Sequence, residues 1–185
     1  MKVDQRVAII IPARDEERTV GPIVAEIVEH LMERQRLADQ LIVVSDGSID
    51  ATAEVARDAG AHVITTAAHG KGQALRRAIQ SSDADVLVFL DADVENFTHR
   101  YVTALLEPLL SDERLVMVKA SYRRSLHGRP DEGGRVTESW PARSWNDSGL
   151  SWPRFPSRSP VSALFVGRRW TASPWLTAMP SRWGC

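Results

Sequence analysis

At 185 residues the chain is long enough for one domain with a real core and a short appendage. Its formal net charge of -1, with both signs interspersed, gives no electrostatic basis for binding nucleic acid or an anionic membrane. No apolar run approaches the roughly 18 residues of a membrane span. The single Cys, Cys185, permits no internal disulfide, and the N-terminus reads as a strand rather than a secretory signal, so a cytoplasmic protein is expected.

Val7 to Ile11 is a mostly β-branched run closed by Pro12, which reads as a buried strand, with the loop Pro12-Ala13-Arg14-Asp15-Glu16-Glu17 after it. Thr19 is placed to cap a helix reaching about Arg36, since Val20, Ile23, Val24, Ile27, Val28 and Leu31 recur at spacings of three and four. Pro22 falls in its first turn, where a missing N–H costs nothing. A second strand, Leu41 to Val44, ends in Ser45-Asp46-Gly47-Ser48-Ile49-Asp50. A helix over about 50–59 is closed by Gly60, and Ala61 to Thr65 is a third strand. His69-Gly70-Lys71-Gly72-Gln73 opens a third helix through about Ser81.

Val86 to Leu90 is an unbroken apolar run, the signature of a strand buried on both faces, and Asp91-Ala92-Asp93 follows it. Both carboxylates project to one side if the backbone stays extended. A helix over 98–110 and a strand over 115–120 complete the pattern. Strands alternating with helices predict a parallel, doubly wound α/β sheet with right-handed crossovers.

The character of the chain changes after Glu138. All six Trp lie between Trp140 and Trp183, and the segment has no Lys, Glu or Ile and neither a 2 nor a 3.6 period. Such a segment reads as a Trp/Ser/Pro/Arg-rich binding surface, as disorder, or as the product of a reading-frame change near codon 139. The expected organisation is a domain over 1–138 and an irregular tail over 139–185.

Four loops are expected at the C-terminal edge of the sheet, where open α/β folds bind ligands. They carry Arg14-Asp15-Glu16, Asp46-Gly47-Ser48, Lys71 between two glycines, and Asp91-Ala92-Asp93. Gly70 and Gly72 permit close backbone approach, and Lys71 can meet phosphate as a point charge. Hard carboxylate oxygens beside phosphate suit Mg²⁺ or Mn²⁺. The set suggests a nucleoside diphosphate ligand. No Walker A pattern, no G-x-G-x-x-G after the first strand and no G-x-S-x-G occurs, which disfavours kinase, dehydrogenase and serine-hydrolase readings. The five His are not at metal-ligand spacing and read mostly as surface residues. Glu16 and Glu17 also suit the positive end of the first helix.

Three blocks, Ile9 to Glu17, Val43 to Thr52 and Leu90 to Asp93, resemble the GT-A fold of family-2-like glycosyltransferases, a Rossmann-like nucleotide-sugar-binding sheet with helices on both faces. Two further segments, His69 to Leu75 and Val118 to Arg124 leading to Gly133 through Glu138, are similar to the glucosyl-3-phosphoglycerate synthases within it. The resemblance covers about residues 5 to 138. It implies a metal-dependent, retaining transfer of glucose from UDP-glucose to a small phosphorylated acid such as 3-phosphoglycerate, and a homodimer.

By that resemblance Pro12, Ala13, Arg14, Asp15 and Glu16 line the uridine and ribose, Asp46 lies beside the nucleotide, and Lys71 reaches the uracil or phosphates. Asp93 is the principal protein ligand of Mg²⁺ or Mn²⁺, with Asp91 and Ala92 at the ribose or the ion's water shell. Gly134, Arg135, Val136 and Thr137 grip the acceptor's phosphate and carboxylate, a role suited to a guanidinium that forks onto oxyanions. The family's Gly-Glu-Tyr-like block and its later metal-binding His are not found between Ser139 and Cys185. Other readings are a transferase with a mannosylglycerate-type or polyprenyl-phosphate acceptor, a nucleotidyltransferase, and a catalytically inactive nucleotide-sugar-binding remnant.

Overall fold

The computed structural model describes residues 5–67, 70–94, 96–112 and 114–120, together with the strand backbones at 125–126, 129–130 and 164–168. Two compact units result, Met1–Ala120 with Val161–Cys185, and Ser121–Pro160. Within the second, the strands β6 (Ser125–Leu126) and β7 (Arg129–Pro130) pair as a short antiparallel hairpin.

The first unit is built on one six-stranded sheet in the order β3-β2-β1-β4-β8-β5. Its strands are β1 (Val7–Ala13), β2 (Gln40–Asp46), β3 (His62–Thr66), β4 (Val86–Leu90), β5 (Met117–Lys119) and β8 (Leu164–Arg168). β1 through β4 are mutually parallel, as the alternating pattern predicts. β8 corrects the all-parallel expectation: it runs antiparallel between β4 and β5, with Leu164 opposite Leu90 and Arg168 opposite Val86. No strand is expected there from sequence, because five residues within an aperiodic stretch are too few to display a period. The chain returns to the first sheet at Leu164, beyond Glu138.

The helices are α1 (Val20–Ile27), α2 (Thr52–Asp58), α3 (Lys71–Ser81) and α4 (His99–Ser111). Ala8 and Ile10 of β1, Ile42 and Val44 of β2 and Leu87 and Phe89 of β4 pack with Ala74, Ala78 and Ile79 of α3 on one face of the sheet. Ile9 and Ile11 alternate to the other face and are also fully buried, so the central strands are covered on both sides. Gly21 marks a tight approach between α1 and α2, where a Cβ would stand 2.8 Å from Val55 Cγ1.

Two helix details depart from the sequence reading. The single helix expected to reach Arg36 is α-helical only to Ile27; Val28–Arg34 winds as a π-helix, closed by Gln35 N–H donating to the His30 carbonyl at 3.1 Å. Thr19 precedes α1 but does not cap it with its side chain, because its hydroxyl donates to Glu16 Oε2 at 2.9 Å. Among the described residues, no helix is long and apolar enough to cross a membrane.

Candidate active site

The order β3-β2-β1-β4 places the switch point of the sheet between β1 and β4, and the loops after both strands open on the crevice where such folds bind ligands. The loop after β1 is shaped by Asp15, which adopts a left-handed backbone with φ 56°. An Asp tolerates that region better than most residues, and here its side chain is used as well. Asp15 N–H donates to Ser48 Oγ at 3.2 Å, while Asp15 Oδ1 accepts from Ile49 N–H at 2.8 Å. Glu16 N–H donates to Thr52 Oγ1 at 2.8 Å, and Glu17 N–H to Asp50 Oδ2 at 3.1 Å. Glu17 Oε2 in turn accepts from Ala51 N–H at 3.1 Å. The acidic run is thus a set of clamps joining the loops after β1 and β2.

Asp50 also accepts from the hydroxyl of Thr52 and from its N–H at 3.0 Å. The side-chain bond from Thr52, helped by backbone N–H donors including that of Glu17 and working against desolvation, holds the Asp50 carboxyl below its usual range.

Asp46 ends β2 and is 4% exposed. Its two oxygens are divided between partners: Oδ1 accepts from Thr66 Oγ1 at 2.8 Å, and Oδ2 accepts from Gly70 N–H at 2.7 Å. Gly70 has φ 88°, a backbone that a side chain would strain, and it turns the chain into α3. The next residue, Lys71, directs its ammonium onto Asp91 at the end of β4. The Lys71 side chain is half exposed whereas the Asp91 side chain is 12% exposed. Hydrogen bonds and one ion pair therefore run without a break across all four rim loops.

The backbone does not stay extended through Asp91-Ala92-Asp93. β4 ends at Leu90 and the chain turns at Ala92, so the condition for the two carboxylates to share a side is not met. Asp91 is buried and Ala92 beside it is 3% exposed, while Asp93 is exposed at the rim. Of the remaining predicted residues, Pro12 is half-buried, Ala13 buried and Arg14 exposed at the end of β1. Gly134, Arg135, Val136 and Thr137 lie outside the described residues. Sequence reasoning did not single out Thr52 or Thr66; their signal was a hydroxyl residue within reach of a rim carboxylate, which only the strand order reveals. Ile49, 95% exposed at the same rim, also escaped notice.

The conserved sequence pattern described as "Glycosyl transferase family 2" matches residues 8–169, most of the chain and well past Glu138. The chain belongs to that family. Relatives of this family-2 chain include the glucosyl-3-phosphoglycerate synthase of Petrotoga mobilis, 31% identical over 181 residues, an alignment covering 91% of this chain and 55% of the relative. The enzyme of the same name from Mycolicibacterium smegmatis is 38% identical over 149 residues, covering 74% of this chain and 48% of the relative.

Among solved structures, mannosyl-3-phosphoglycerate synthase from Rubrobacter xylanophilus superposes with a TM-score of 0.66 at 32% identity, covering 89% of this chain and 53% of that one. The Mycobacterium tuberculosis glucosyl-3-phosphoglycerate synthase, solved with Mn²⁺, UDP and glucosyl-3-phosphoglycerate, gives 0.65 at 29% identity, covering 89% and 57%. This family-2 chain spans about half the length of the curated relatives it matches. The sheet is the Rossmann-like GT-A sheet of the family.

The residues present fit a Mg²⁺ or Mn²⁺ ion. Lys71 already engages Asp91, while the Asp93 carboxylate is exposed at the rim as a hard oxygen donor. These ions commonly take one or two carboxylates and complete their shell with water and substrate phosphates.

Proposed function

We propose that this chain transfers a hexose from a nucleoside diphosphate donor, specifically glucose from UDP-glucose, to a small phosphorylated acid such as 3-phosphoglycerate. The observation that carries the reading is the exposed Asp93 at the switch-point crevice, two residues beyond a buried carboxylate already neutralised by Lys71. Relatives bearing the glucosyl-3-phosphoglycerate synthase name, and structures of one of them with UDP-glucose, Mn²⁺ and phosphoglyceric acid, support this choice of substrates.

In this reading Asp93 holds the divalent ion, which supplies Lewis-acid neutralisation of the leaving diphosphate. Pro12, Ala13, Arg14, Asp15 and Glu16 form the wall that receives the nucleoside. The clamps from Asp15, Glu16 and Glu17 to residues 48–52 keep that wall rigid before substrate arrives, so little reorganisation is left for the reaction. Asp46 fixes Gly70 and so sets the start of α3, from which Lys71 extends. An ammonium has three donors. With one of them on Asp91, Lys71 keeps others for phosphate oxygen, and Asp91 serves as a positioning residue. Gly134, Arg135, Val136 and Thr137 hold the acceptor so that its hydroxyl faces the anomeric carbon, where alignment yields a large effective molarity.

Release of UDP from UDP-glucose with Mn²⁺, followed with and without 3-phosphoglycerate, tests this assignment. Acceptor-dependent release, with glucose recovered on the acceptor in the retained configuration, is the expected result. Donor binding without any release in the presence of 3-phosphoglycerate would refute the assigned acceptor.

A further inference from the structure

Away from the rim loops, Glu26 of α1, His30 of the π-helical segment and His99 at the start of α4 converge, and the geometry points to a second, independent metal site of the zinc class held by these three side chains. One donor atom from each lies within 4.8 Å of the other two. Glu26 Oε1 is 2.8 Å from His99 Nδ1 and accepts from the His99 backbone N–H at 3.1 Å, while Glu26 Oε2 is 3.5 Å from His30 Nε2. In tetrahedral zinc sites with bonds of about 2.0–2.1 Å, neighbouring donor atoms stand roughly 3.3 Å apart. The two His–Glu26 separations, each to a different oxygen of the carboxylate, lie on either side of that spacing. Two His and one Glu, with a fourth position for water, form a donor set that zinc uses widely.

The competing account, a carboxylate merely hydrogen-bonded to two histidines, predicts no zinc binding at this cluster. The His30 and His99 rings stack with centroids 4.2 Å apart and planes 13° from parallel. Beside the cluster, Glu29 Oε2 lies 4.0 Å from His30 Nε2, and its other oxygen is paired with Arg34 at 2.6 Å. All three ligand side chains are half-buried, with exposures of 28%, 23% and 18% for Glu26, His30 and His99.

The local backbone also departs from regularity here. The π-helix begins at Val28, two residues after Glu26, and single widened turns of this kind recur at functional sites. Binding requires the two ring nitrogens that face Glu26 to present lone pairs, and the stacked rings to splay so that both meet one ion. An ion held there would tie α1 to the start of α4, immediately downstream of the loop that begins at Asp93.

The test uses the full chain in a Cys185→Ser background, which removes the only thiol. Zinc calorimetry should show one site per chain, with affinity reduced roughly tenfold or more in His30→Gln and in His99→Gln, and unchanged in Asp93→Asn. Carbethoxylation of the parent, mapped by peptide mass spectrometry, reads the same site without those variants, and Zn²⁺ should protect His30 and His99. Unchanged zinc affinity in folded His30→Gln and His99→Gln would overturn the site. So would protection of other histidines with His30 and His99 left reactive.

Discussion

The two halves of the rim use the same residue types for different ends. At β1 and β2, Asp15, Glu17 and Asp50 spend carboxylate oxygens on backbone N–H groups of the facing loop or of their own turn, and Glu16 takes the Thr19 hydroxyl. Asp46, at the end of β2, still organises backbone by reaching Gly70 after β3, but at the end of β4 Asp91 faces a lysine and Asp93 stands exposed. Acidic residues crowded at a strand end are therefore not one feature. Those on the first half set a surface, and those at the end of β4 are the ones the proposed function assigns to the charge of a ligand.

Substitutions should separate the halves by what they disturb. Asp93→Asn removes an exposed anionic oxygen, so turnover measured by UDP release should fall about 100-fold or more, while the thermal midpoint stays near that of the parent. Lys71→Met should act on both properties. Turnover falls roughly tenfold to 100-fold, and chemical denaturation shows a loss of about 1–3 kcal/mol because the Asp91 carboxylate loses its cation.

Asp46→Ala should mainly cost stability, about 2–3 kcal/mol by denaturation, because it strips the Gly70 N–H and the Thr66 hydroxyl of a buried acceptor. Glu17→Ala should cost only about 0.5–1.5 kcal/mol, since one exposed clamp is lost among several. If Glu17→Ala instead abolished turnover with the fold intact, the division between the halves would fail.

The smallest effect concerns pH and lies outside the rim. Burial acts to raise the Glu26 carboxyl, but hydrogen bonds from the His99 ring and backbone and the charges of His30 and His99 outweigh it, leaving it below its ordinary value of 4.5. A carboxyl depressed on folding contributes stability that is complete above its unfolded value and lost as pH falls through the folded one. Glu26→Gln should therefore flatten the acid limb of the stability–pH curve below about pH 4.5, as read by denaturation at successive pH values.

Much of the architecture was legible because β1, β2 and β4 each contain a run of four or five apolar residues and each is followed by a loop of charged or turn-forming residues. The rim loops and the family resemblance were legible for the same reason. What could not be read was anything decided by pairing across space. β8 contributes five residues from a compositionally odd stretch, and its place between β4 and β5 follows from long-range register. Asp91 is buried and Asp93 exposed, with a turn at Ala92 between them, although both sit in one short motif. His30 and His99 are far apart in the chain, so no local spacing announced that Glu26 would bring them together.

The central claim is that Asp93 couples a divalent cation to a nucleoside diphosphate. Calorimetric titration of UDP into the parent and Asp93→Asn, with and without Mn²⁺, tests it most directly. Mn²⁺ should tighten UDP binding to the parent and lose that effect in Asp93→Asn, with the metal-free affinities alike. Equal tightening by Mn²⁺ in both proteins would contradict it.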